Sequence, residues 1–147
     1  MIEDFRDVLA ALVAADAKFL VVGAHALAAH GVPRMTRDLD ILVEPSPENA
    51  RRVWRALADF GAPLDSLNVC ESDLSTADRV VQFGLPPWRI DIMTSISGVS
   101  FADAWDGRMN DAMLGVQVAF IGRDAFIRNK RASGRTRDFG DIAALER

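Results

Sequence analysis

Arg37-Asp38-Leu39-Asp40-Ile41, running on into Leu42-Val43, alternates charged with apolar residues and then turns wholly apolar. Residues two apart on a strand share a face, so Asp38 and Asp40 project together while Leu39 and Ile41 face a core. Upstream, Phe19-Leu20-Val21-Val22 is a short apolar run rich in strand formers, ended by Gly23, and residues 24–30 read as a helix closed by Gly31. Downstream, residues 47–60 read as a helix with Ser46 at its cap, Pro47 in its first turn and Gly61 beyond its end.

The same alternation continues outward. Residues 2–16 place Ile2, Phe5, Val8, Leu9, Leu12 and Val13 at helical spacing, which predicts an amphipathic packing helix. Residues 61–78 carry no clear period. Residues 79–83 and 88–93 read as strands joined through Gly84-Leu85-Pro86-Pro87, a hairpin. A short helix at 101–107, a strand at 116–121 and two helices at 123–132 and 137–146 complete the chain. The prediction is one α/β (α+β) domain over residues 1–147, a mixed sheet of four or five strands with helices packed on it.

Composition agrees and narrows the function classes. With 147 residues, half of them apolar, the chain can bury one core without staples. A net charge of -4 and a pI near 5.1 give no general attraction for nucleic acid or an anionic membrane, so any polyanion site must be local. Such an excess exists between 123 and 137, where Arg123, Arg128, Lys130, Arg131, Arg135 and Arg137 face the single acid Asp124. It reads either as a triphosphate- or RNA-contacting face or as a solvated helix face partly paired with Asp138 and Asp141. Cys70 stands alone, which excludes an intrachain disulfide, and with only His25 and His30 beside it a structural zinc site is not expected. The start of the chain is acidic where a secretory signal would be basic, and the most apolar stretch, 19–32, is too short to span a bilayer. A cytoplasmic protein with no membrane partner is expected.

The acidic residues carry the chemistry. Two like charges forced onto one strand face are costly unless a cation neutralises them, and Mg²⁺ prefers carboxylate, phosphate and water oxygens. Asp91, flanked by Ile90 and Ile92 in an apolar strand, is a third carboxylate in a place where an unpaired charge is expensive. Three carboxylates allow two cations, which in phosphoryl and nucleotidyl transfer stand about 3.5–4 Å apart. Gly23 ends a strand and opens a helix, and so offers free backbone N–H groups to a phosphate. His25 and His30 are expected to be packed or structural, and Trp54, Trp88 and Trp105 to serve the core or an interface.

Taken together, Gly23-Ala24, Thr36-Arg37-Asp38-Leu39-Asp40-Ile41 and Arg89-Ile90-Asp91-Ile92 resemble the signature of the nucleotidyltransferase superfamily: Gly-Ser, a spaced Asp-x-Asp and a later single Asp. The run from Lys130 to Ile142, with Lys, Ala and Arg followed by Arg137-Asp138 and a second Asp, looks like the minimal or AbiEii-type toxin branch. The resemblance implies a nucleotidyltransferase fold, catalytic Asp38, Asp40 and Asp91 holding Mg²⁺ (two ions, with Mn²⁺ as substitute), and an NTP such as ATP as donor. It also implies Gly23, Ala24, Arg37 and Lys130 at the nucleotide and Asp138 in a helix beside the site. The partners it suggests are a tRNA end or a protein side chain as acceptor and a neutralising antitoxin; a small molecule such as an aminoglycoside is a further acceptor class.

Ala24 departs from the pattern, since the usual Ser would add a hydroxyl contact to a phosphate. A lost hydrogen bond to a charged group costs roughly 1.5–3 kcal/mol, enough to weaken NTP binding about tenfold. Two other functions therefore stand beside NMP transfer. One is a nucleotide-binding or regulatory module that has lost turnover; the other is a nucleotide-sugar glycosyltransferase using Asp-x-Asp, whose usual size is much larger.

Overall fold

The computed structural model describes residues 2–147. In chain order the elements are α1 (Ile2–Ala14), β1 (Phe19–Val22), α2 (Gly23–Ala29), β2 (Asp38–Val43), α3 (Pro47–Phe60), a 3₁₀ turn (Glu71–Ser75), β3 (Val80–Phe83), β4 (Arg89–Met93), α4 (Phe101–Asp106), β5 (Met109–Met113), β6 (Val116–Phe120), α5 (Arg123–Ser133) and α6 (Thr136–Glu146). The six strands form one mixed sheet in the order β3-β4-β2-β1-β6-β5. β2 runs antiparallel to β1 and parallel to β4, and β1 runs parallel to β6.

Local chemistry accounts for most boundaries. The Ser46 hydroxyl accepts from the backbone N–H of Asn49, Pro47 opens α3, and Gly61 closes it in the left-handed region at φ 94°. All four residues of β1 are buried, as befits an interior strand covered on both faces. Phe5, Val8, Leu9 and Leu12 of α1 join Leu20, Leu27, Leu39, Ile41 and Leu57 in a single core.

The sheet has six strands where four or five were expected. The extra one, β5, pairs antiparallel with β6 across a two-residue turn at Leu114-Gly115, both at positive φ. Its sequence, Met-Asn-Asp-Ala-Met, lacks strand formers, because an exposed edge strand is built from residues that keep further pairing away. Among the described residues no helix is long and apolar enough to cross a membrane.

Candidate active site

The parallel pairing of β2 with β4 sets Asp38 opposite Arg89 and Asp40 opposite Asp91. Because alternate residues share a face, these four side chains form a square on one side of the sheet, three corners acidic and one basic. Leu39, Ile41, Ile90 and Ile92 point the other way and are fully buried, which anchors the square in a rigid support. β1 pairs Val22 with Asp40, so Gly23 lies directly beside that carboxylate.

The square floors a cleft of about 330 Å³ lined also by Gly23, Ala24, Arg34, Met35, Thr36, Lys130, Arg135, Arg137 and Asp141. One wall is therefore acidic and the other basic. Asp40 is raised to about 6, first by burial and then by the neighbouring charges of Asp91 and Asp38. Burial also raises Asp91, with Arg89 opposing in part. Asp40 and Asp91 are adjacent in the β2–β4 register, and the charge of Asp91 adds to burial in raising Asp40.

Arg89 closes the square. Its guanidinium lies 3.2 Å from Asp38 Oδ2 and its Nε 3.1 Å from Asp91 Oδ1, the latter an ion pair whose alignment falls short of a hydrogen bond and leaves that buried oxygen without one. The donor set suits a hard dication in kind: three carboxylates, one with a buried oxygen lacking a hydrogen bond. In arrangement, among the described residues no three acidic, imidazole or thiolate groups are gathered closely enough to chelate an ion as they stand. Two of the three carboxylates are turned to a guanidinium.

Two buried acids hold the basic wall. Asp138 accepts from Arg135 Nε at 2.9 Å and stands 3.6 Å from Lys130 Nζ. Asp141 accepts both terminal nitrogens of Arg34 from the loop before β2. The basic run of the sequence thereby divides. Lys130, Arg135 and Arg137 line the cleft, while Arg123, Arg128 and Arg131 pair elsewhere with Asp124, Asp103 and Glu146. Arg37 is exposed and is not among the cleft-lining residues, whereas Arg34 is. Arg34 and Arg89 are the two cleft cations that sequence reasoning did not single out.

His25 packs edge-on against Phe5 with its ring pKa lowered chiefly by burial, and His30 bonds the Ile121 carbonyl at 2.8 Å. All three tryptophans pack against the core. Trp88 also lines a groove on the far side of Arg89.

No protein-family profile and no curated protein sequence matches this chain. Solved structures do. A Thermotoga maritima protein provisionally assigned as a nucleotidyltransferase superposes with a TM-score of 0.66 at 16% identity, over 99% of this chain and 93% of that one. A lincosamide antibiotic adenylyltransferase in its lincomycin-bound form superposes with a TM-score of 0.56 at 13% identity, over 99% and 96%. The fold is the nucleotidyltransferase fold.

Within the nucleotidyltransferase fold of this chain, the turn at Gly23 is built for glycine on two counts. Its φ is 68°, and a Cβ added there would lie 2.3 Å from Asp40 Oδ2. Gly23→Ala is expected to cost about 1–3 kcal/mol and to displace the Asp40 carboxylate. Thermal unfolding should show a loss of several degrees; an unchanged melt would mean that the turn relaxes freely and does not position Asp40.

Proposed function

We propose that this protein is a nucleotidyltransferase moving a nucleoside monophosphate from an NTP to an acceptor hydroxyl, with Mg²⁺ held by Asp38, Asp40 and Asp91. The observation that supports it is the opposition, across one cleft, of an acidic square on rigid strands to a basic wall held by buried acids. When bound, the metal supplies charge neutralisation at the reacting phosphate and activation of the attacking oxygen.

The chain's own residues do the rest. Lys130, Arg135, Arg137 and Arg34 draw the polyphosphate to the basic wall and turn its charge away from the carboxylates. Ala24 lines the same cleft without the hydroxyl that a serine would add. The acceptor oxygen bonds to the α-phosphorus, the α–β phosphoanhydride breaks, and pyrophosphate leaves with the electron pair. The hydroxyl proton leaves to solvent through the open cleft, since the three carboxylates are engaged with the metal.

The test is release of pyrophosphate from each of the four Mg-NTPs, with tRNA, a protein extract, an aminoglycoside and lincomycin offered in turn. Lincomycin belongs in the panel because one neighbour of the fold was solved with it bound. Transfer to tRNA or protein would set the enzyme beside the AbiEii-type toxins, with an antitoxin as partner; transfer to a small hydroxyl compound would not. A second reading, nucleotide binding without turnover, is favoured by Ala24 and by the two carboxylates given over to Arg89. NTP binding with no pyrophosphate released to any acceptor would select it.

A further inference from the structure

The residue that closes the acidic square has a role that the proposed chemistry does not use. Arg89 bridges Asp38 and Asp91, the two carboxylates either side of Asp40, and its side chain is still 49% exposed. It sits on the ridge between the cleft and the groove lined by Phe83, Pro86 and Trp88, so there is open space on its other side. Its charge lies where a cation is needed to offset three acids, and among the described residues its side chain is held by those two ion pairs.

We infer that Arg89 is the resident counter-cation of the metal-free site, a guanidinium that holds Asp38 and Asp91 until a divalent cation displaces it. The inference rests on the metal site of the proposed function and deepens it. The site then exists in two arrangements, guanidinium-bridged and metal-loaded, and the apparent metal affinity is reduced by the fraction of molecules in the first. A bare cluster of three carboxylates would be strained without a cation and would take any passing dication. With Arg89 in place, metal enters readily only when it brings enough further attraction, as it does when carried on a triphosphate drawn to Lys130 and Arg135.

The test is Mn²⁺ binding without nucleotide, read by electron paramagnetic resonance of the free ion, for wild type, Arg89→Gln and Arg89→Lys. Removing a competing charge a few ångströms from the ion should tighten Mn²⁺ binding about tenfold in Arg89→Gln. Arg89→Lys, a point charge that cannot bridge two carboxylates as a planar fork does, should tighten it less, by about threefold. The exposed Arg79→Gln, which removes equal charge outside the square, should leave Kd unchanged. In the metal-free state Arg89→Gln should melt lower than wild type, and Mn²⁺ should raise its melting temperature further than it raises that of wild type.

If Arg89 instead serves only to orient the carboxylates for metal, Mn²⁺ binding weakens in Arg89→Gln, and that result overturns the inference while leaving the metal site standing. Equal tightening in Arg79→Gln overturns it as well, since bulk charge would explain the effect. No Mn²⁺ bound by any of the proteins overturns both the inference and the metal site. Should Arg89→Gln fail to fold, Arg89→Lys decides by the same sign: tighter binding supports the displaced cation, and unchanged or weaker binding refutes it.

Discussion

Asp40→Asn is expected to lower nucleotidyl transfer by more than about 100-fold, the upper end for losing even a supporting partner of a metal ligand, while raising the melting temperature of the metal-free protein at pH 8. The two effects oppose because, in the proposed function, the residue serves the metal site while its buried charge costs stability. Asp40 is raised to about 6 by burial and by Asp91 and Asp38, above its ordinary carboxylate value. The folded state therefore prefers the neutral carboxyl. Its contribution to stability is fully present below the unfolded value near 4 and is lost as pH rises through about 6. Asn keeps the shape and is neutral at every pH, so it removes the cost of a buried charge beside Asp91 and Asp38.

The advantage of the variant should thus be near zero at pH 4, grow between pH 4 and 6, and stay level above. Two pH units correspond to about 3 kcal/mol, and partial solvation of Asp40 reduces this to roughly 1–2 kcal/mol, or about 3–8 °C in a chain of this size. Calorimetry in EDTA from pH 4 to 8 on both proteins checks it. A variant that is less stable than wild type at pH 8 would assign Asp40 to the scaffold and not to the site.

The sequence makes some of this architecture legible and hides the rest for definite reasons. β1 and α3 are readable because each carries its own stop signals: Gly23 after four apolar residues, and Ser46, Pro47 and Gly61 around one amphipathic face. Asp38 and Asp40 are readable as a pair because the strand period of two is local. Arg89 stands two residues before Asp91, so its face was also readable. Its partner was not, since only the β2–β4 register, which sets Arg89 against Asp38 from 51 residues away, turns a strand-start arginine into a corner of the acidic square. Arg34 and Asp141, 107 residues apart, meet through tertiary folding alone, and no spacing rule connects them. The edge strand β5 was invisible because its residues are chosen for solvent and not for a core.

The basic wall gives the second large effect. Asp138, fully buried at the start of α6, accepts from the backbone N–H and side chain of Arg135 and lies within ion-pair distance of Lys130, itself only 12% exposed. These contacts, outweighing burial, hold the Asp138 carboxyl below the usual carboxylate range. Asp138→Ala leaves Lys130 without its partner in a confined place and lets Arg135 swing into solvent. Breaking a buried pair costs about 3–5 kcal/mol; because Arg135 is 58% exposed and can rehydrate, the expected loss is nearer to about 2–3 kcal/mol at pH 7.

A carboxyl with a depressed folded value contributes stability above its unfolded value and loses it as pH falls, so the gap between wild type and Asp138→Ala should narrow toward pH 3. Asp138→Asn, which keeps an oxygen for Arg135 but no charge for Lys130, should cost about half as much. The functional consequence separates a structural acid from a positioning one. If Asp138 aims Lys130 and Arg135 at the polyphosphate, the Kd for Mg-NTP, measured by calorimetry on folded protein, should rise about tenfold in Asp138→Ala, the value of one lost charge-assisted contact. A variant that loses stability but binds nucleotide as tightly as wild type would show that the basic wall needs no buried acid to hold it toward the cleft.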